Sequence, residues 1–186
     1  MPRIPAHPVD PLFPRRWSPR SMDGTPLARE ELLPLLEAAR WAPSGGNGQP
    51  WRFFYALRGT PGFAALLAAL VPGNQEWAHA AGALVVLGAK VVRDDGKPAG
   101  TAPFDAGAAW MAFALQGTIS GLAVHAMGGF DKEKAQAAAA LPAGVEPQAV
   151  IAVGHRAPPE ALPEKHRARE APNERMPVEQ FAVELG

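Results

Sequence analysis

The chain has 186 residues, 47% apolar and 19% charged, with 18 basic against 18 acidic side chains and a formal net charge of zero. That length reads as a single domain, residues 1–186, able to bury roughly 70% of its unfolded surface without staples. The balanced charge, with no basic stripe interleaved with aromatics, excludes nucleic acid as an expected partner. The lack of any cysteine excludes disulfides, thiolate catalysis and Cys-based metal or cluster sites.

Residues 1–14 form a Pro-rich arm without an apolar h-region, so they do not read as a signal peptide. Apolar runs fall short of the ~18 residues a membrane span needs. The expectation is a cytoplasmic protein with no membrane contact. Residues 15–20, Arg-Arg-Trp-Ser-Pro-Arg, place three guanidinium groups and a hydroxyl close together, as a phosphate site or as a solvated charge run.

Thr25-Pro26 reads as an N-cap followed by proline at the first helical position. Helical spacing then runs to Ala42, with Pro34 expected to kink the helix or delay its start. Residues 41–53, Trp-Ala-Pro-Ser-Gly-Gly-Asn-Gly-Gln-Pro-Trp-Arg-Phe, follow. Glycines permit close backbone approach, and Ser, Asn and Gln offer polar contacts between two flat tryptophans. Residue types alone leave open whether this is a ligand loop or a plain Gly-rich turn.

Residues 51–57 read as an aromatic strand. Thr60-Pro61 opens a helix with Phe63, Leu66, Leu67 and Leu70 on one face, stopped by Pro72-Gly73. Residues 74–79 are a short helix or turn, and 83–89 a strand buried on both faces. After a polar loop, residues 105–119 are apolar nearly all round, the pattern of a central buried helix. Residues 121–127 are a strand, Asp131 caps an Ala-rich helix to Leu141, and 148–154 are a further strand. Residues 156–186 form an extended C-terminal arm, too long for an ordinary loop. The order predicts an α+β fold with a sheet of about four strands wrapped by helices.

Familiar catalytic signatures are missing. The glycines at 45, 46 and 48 follow a helix and precede a strand, the reverse of a dinucleotide fingerprint. There is no Walker A sequence and no Gly-x-Ser-x-Gly elbow. The five histidines show no metal-binding spacing, and His125 reads as a satisfied core or rim side chain rather than a catalytic one. A chain of this kind is an enzyme only if a cofactor carries the chemistry.

Taken together, Arg16-Trp17-Ser18-Pro19-Arg20, Ala42-Pro43-Ser44 with Asn47 and Gln49-Pro50-Trp51, Asn74-Gln75-Glu76-Trp77, Asp105-Ala106-Gly107-Ala108, Met127-Gly128-Gly129 and Arg175-Met176-Pro177 resemble the nitroreductase family of FMN-dependent oxidoreductases. The matches run in family order from about residue 12 to the C-terminus.

The resemblance implies a mixed or mostly antiparallel sheet, with room for a C-terminal strand donated by a partner. It implies a cytoplasmic homodimer with FMN at the subunit interface. Hydride would pass from NADH or NADPH through flavin N5 to a small nitroaromatic, quinone or enone by ping-pong kinetics, with no catalytic side chain. The implied cofactor contacts are Arg16 and Ser18 at the phosphate, with Trp17 beside them, and Arg20 near the pyrimidine edge. Asn74, Met127, Gly128 and Gly129 would lie at the ring, and Arg175 would be a second phosphate cation. Pro43, Ser44, Gly45 and Asn47 would reach the partner's flavin.

Two departures stand out. The family often has a second serine where Gly45 lies, and paired basic residues where Glu174-Arg175 lie. The region between residues 89 and 104 is short, which implies an open site. A flavin store or sensor with little turnover, and a structural dimer that has lost FMN, are the alternative readings.

Overall fold

The computed structural model describes residues 3–186. Among them, four strands form one antiparallel sheet in the order β1-β2-β4-β3. These are β1 (Trp51–Leu57), β2 (Ala83–Lys90), β3 (Leu122–Met127) and β4 (Val145–His155). Helices cover both faces.

Strand alternation separates two cores. Leu84 and Val86 of β2 point into one, with Phe63, Leu66, Trp77, Met127 and Ala135. That layer is made by α3 (Pro61–Ala69), α4 (Pro72–Ala78) and α6 (Lys132–Ala138). Ala83, Val85 and Leu87 point into the other, with Leu32, Leu35 and Phe113. There α2 (Arg29–Arg40) packs on α5 (Ala102–Ile119), and α5 lies on the sheet. A Cβ at Gly117 would overlap the Val124 side chain and stand 3.3 Å from Leu35 Cδ2, so only glycine lets α5 settle between β3 and α2.

Strand β4, one of the two inner strands, contains Pro147 opposite Gly88, where the register with β2 shifts, three residues outside the last β3 pairing at Val150. On its β3 side a proline there has no partner to lose, and bulges are where strands tolerate proline.

Several local expectations change. Thr25-Pro26 does not open α2, which starts at Arg29 after an Ala28 cap position, with Glu31 bonding back to the Ala28 amide at 2.9 Å. Asp23 instead holds the Thr25 amide at 2.8 Å in a turn. Pro34 lies inside α2 on its exposed side without ending the helix. Pro72 both follows α3 and begins α4, as proline at a first helical position allows. The N-terminal arm carries a short helix, α1 (Leu12–Arg15).

Helix α5 is not buried all round. Ala106, Ala109, Phe113 and Ala114 face the core, but Phe104 is 80% and Ile119 58% exposed. One chain has no further layer to cover that side.

The C-terminal arm divides into two parts. Arg156 bridges to Met22, Leu162 is buried, and Ser21 Oγ donates to the Pro158 carbonyl at 2.6 Å. A last short helix, α7 (Glu164–Arg167), ties back through Lys165 Nζ to Glu76 at 2.6 Å. Up to Glu170 the arm therefore drapes over its own chain. From residue 171 onward every residue is exposed.

Candidate functional site

Residues 16–21 cross the rim of the sheet as an extended segment held from three sides. His125 on β3 donates from Nδ1 to the Ser18 carbonyl at 2.8 Å. The Glu170 carboxylate accepts from the Arg20 amide at 2.9 and 3.0 Å and from the Ser21 amide at 3.0 Å. The Trp17 ring lies under the Arg156 guanidinium, 5.1 Å from its centroid. Each contact fixes backbone or ring, which leaves the polar ends of Arg16 and Ser18 to face one another at 3.4 Å.

Positive charge accumulates here. Burial, then the neighbouring Arg175 and Arg3, push the Arg16 guanidinium below its usual range. Burial also lowers Arg20, with the Glu170 carboxylate opposing and Arg169 adding to the effect. Burial first, and then Arg20, push His125 down to about 4, so the imidazole is neutral at pH 7. Its ring packs 4.7 Å from that of Trp77, whose centroid lies 6.0 Å from Arg20 Cζ.

Asn74, on α4, donates from Nδ2 to the Gly129 carbonyl at 3.0 Å. A Cβ on Gly129 would come 2.9 Å from that Nδ2 and 3.0 Å from Val71 Cγ2, so the glycine permits the close approach. Beside Gly128 a Cβ would meet nothing within 4 Å. Met127 is buried beneath this corner. Arg16, Trp17, Ser18, Arg20, Asn74, Met127, Gly128, Gly129 and Arg175 are thus gathered around β3, α4 and the two chain arms.

Pro43, Ser44, Gly45 and Asn47 are not gathered with them. Their loop belongs to the α2–α5 layer. Ser44 Oγ accepts from the Gln49 amide at 3.0 Å, and the Gly45 amide donates to Asp105 Oδ2 at 3.3 Å. Gly46, Asn47 and Gln49 all have φ between 45° and 56°, a left-handed conformation that costs of order 1 kcal/mol for a non-glycine residue. Trp41 stands at the loop's start, 74% exposed, its indole N–H on Glu37 at 3.0 Å and the Arg40 guanidinium 4.7 Å from its ring. A cleft of about 600 Å³ separates the loop from residues 90–102.

The glycine at position 45 has a steric reason. A Cβ there would lie 3.0 Å from Thr101 Oγ1, which itself donates to buried Asp105 at 3.0 Å. Gly45→Ser is expected to cost about 1 kcal/mol by displacing that hydroxyl. The cost should vanish in a Thr101→Ala background, and urea unfolding of the single and double variants measures it. A neutral single variant would show that Thr101 turns aside freely.

Sequence reading missed His125, Glu170 and Ser21 as organisers of the segment. Glu170 lies 150 residues from Arg20, and no local pattern marks such a pair.

The nitroreductase family model matches residues 14–61. A crystal structure described as an oxidoreductase containing FMN is 40% identical, covers 98% of this chain and 94% of its own, and superposes with a TM-score of 0.93. A 15.4 kDa protein of Mycolicibacterium smegmatis, uncharacterized, is 38% identical over 62% of this chain and 78% of its own length. A Streptomyces coelicolor protein provisionally named NADH dehydrogenase/NAD(P)H nitroreductase is 37% identical over 47% of this chain, and only 43% of that protein is spanned. Fold, motif order and these likenesses define an α+β flavin-oxidoreductase scaffold. The chain belongs to the nitroreductase family.

Proposed function

We propose that the protein binds FMN and passes reducing equivalents from NADH or NADPH to a small nitroaromatic, quinone or enone acceptor. The observation that carries this reading is the convergence of Arg16, Ser18 and Arg175 at one rim with Asn74, Gly128 and Gly129 beside it. The residues fit the cofactor. Three guanidiniums, those of Arg3, Arg16 and Arg175, repel one another there, a charge pattern that a phosphate dianion relieves. The open space beside Gly128 gives a flat ring room to lie against backbone.

The bound flavin would supply hydride acceptance and donation. The chain's own residues bind and tune. Arg16, Ser18 and Arg175 would hold the phosphate. Arg20, kept in place by the Glu170 grip on its amide, would offset negative charge developing at the pyrimidine edge. Asn74 would orient the ring, its amide already directed at Gly129, and no side chain is assigned a proton transfer.

The second half of the predicted site lies on the other face of the sheet. We therefore infer a homodimer in which Pro43, Ser44, Gly45 and Asn47 of one chain reach the cofactor of the other. The exposed apolar side of α5, with Phe104 and Ile119, supports this. The exposed residues Phe181, Val183 and Leu185 alternate as a strand does, and β1 leaves one sheet edge open, which supports a strand exchanged between partners. Among the described residues no helix is long and apolar enough to cross a membrane; we place the protein in the cytoplasm and treat the chain as one functional domain.

Purified full-length protein is expected to be yellow or to take up FMN at one per chain, to run as a dimer, and to bleach anaerobically on addition of NADH or NADPH. Colourless protein that fails to bind added FMN would sink the reading.

A further inference from the structure

The site keeps only one basic residue at 174–175, because position 174 is glutamate. A replacement cation comes from an unexpected place. Arg3 Nη2 donates to the Arg16 carbonyl at 2.7 Å. That bond uses one of five guanidinium N–H donors and leaves the others for a ligand. His7 Nε2 lies 4.0 Å from Glu179 Oε1, so the N-terminal arm runs against the C-terminal tail that carries Arg175. Among the described residues, no carboxylate lies within 4.0 Å of the charged nitrogens of Arg3, Arg16 or Arg175.

Three like charges brought together without a counter-ion destabilise one another, and burial makes this worse. Burial and then Arg175 push the Arg3 guanidinium below its usual range, with Glu174 partly opposing. The arm is stiff. Prolines at 5 and 8 fix φ between Arg3 and α1, so less chain entropy is lost in presenting Arg3 than from a proline-free arm.

We propose that Arg3 is a third cation of the phosphate site, brought to Arg16 by the Pro-rich arm. This rests on the FMN reading above. It makes retention of the phosphorylated flavin depend on a segment that precedes the family-matched residues.

The test compares the full-length wild type with Arg3→Ala. Each apoprotein is titrated with FMN and with riboflavin, which lacks the phosphate, and is melted with and without inorganic phosphate. Arg3→Ala should weaken FMN about tenfold, the loss of one charge-assisted contact, while riboflavin affinity stays unchanged and the melting temperature without phosphate holds or rises as the repulsion is relieved. Equal FMN affinity in the two proteins overturns the proposal, and so does a parallel loss of riboflavin, which would mean that the arm only shapes the fold. If the wild type takes neither flavin, the FMN reading falls and phosphate decides the rest. Phosphate stabilisation present in the wild type and absent in Arg3→Ala upholds Arg3 as an anion ligand; equal stabilisation, or none in either, overturns it.

Discussion

Trp77→Ala is expected to lower stability by about 3–5 kcal/mol, the range for removing a large aromatic from a packed core. Trp77 is 1% exposed and sits among Phe63, Leu66, Leu84, Met127 and Leu162, joining α4 to the sheet. The loss should also reach the candidate site. The indole ring packs on His125, whose Nδ1 bond fixes the Ser18 carbonyl. Asn74 lies on the same short helix. A seven-residue helix has little stability of its own, so without its one large buried anchor it should shift. Urea unfolding should show the reduced midpoint with an unchanged slope, and the thermal transition should fall by about 10 °C. A loss below about 1 kcal/mol would show that the layer closes over the gap.

Acidification gives the second large effect. His125 titrates at about 4 in the folded chain, against about 6.5 in an unfolded one. Its folded pKa is depressed because burial and the nearby Arg20 and Arg16 disfavour the cation, against the opposing pull of the Ser18 and Pro19 carbonyls. The unfolded chain therefore binds the proton more readily. The stabilisation is present in full above pH ~6.5 and is lost as pH falls from there towards 4, amounting to about 3 kcal/mol over that window. His125→Gln can keep a donor to Ser18 but cannot titrate. Its stability should be flatter across the window, measured as unfolding free energy at half-unit pH steps. Below pH ~4.5 both proteins should decline together, because Glu37 and Glu76 are held below the usual carboxylate range by side-chain hydrogen bonds from Arg40 and Lys165 respectively. Parallel curves between pH 6.5 and 4 would remove His125 as the cause.

Much of the fold was legible locally. The aromatic run at 51–57 is a strand from its first residue to its last. Thr60 caps α3 by accepting from the Phe63 amide at 3.3 Å, and Asp131 caps α6 by accepting from the Lys134 amide at 3.0 Å. These outcomes depend on neighbours one to four residues away, and spacing reports them. Of the two outcomes expected of Pro34, the later start matches, since α2 begins at Arg29 and not at Pro26, although Pro34 itself lies inside the helix. The apolar girth of α5 was read as burial, although composition cannot tell a core from a surface awaiting a partner.

The candidate site divides in the same way. The sequence by itself determined most element types, the α+β class and the family motifs, since these follow from short-range sterics, hydrophobic period and residue chemistry; the fully antiparallel pairing is a finding of the structure. Only the tertiary structure decided that Arg3 and Glu170 come to residues 16–21, that His125 pins Ser18, and that Gly45 is shaped by Thr101. It also put the loop at 43–47 and the corner at 127–129 on opposite faces of the sheet. The physical reason is that guanidinium, carboxylate and imidazole groups act through space over a few ångströms. Which of them meet is set by how the two helical layers close on the sheet, a property that no window of sequence contains.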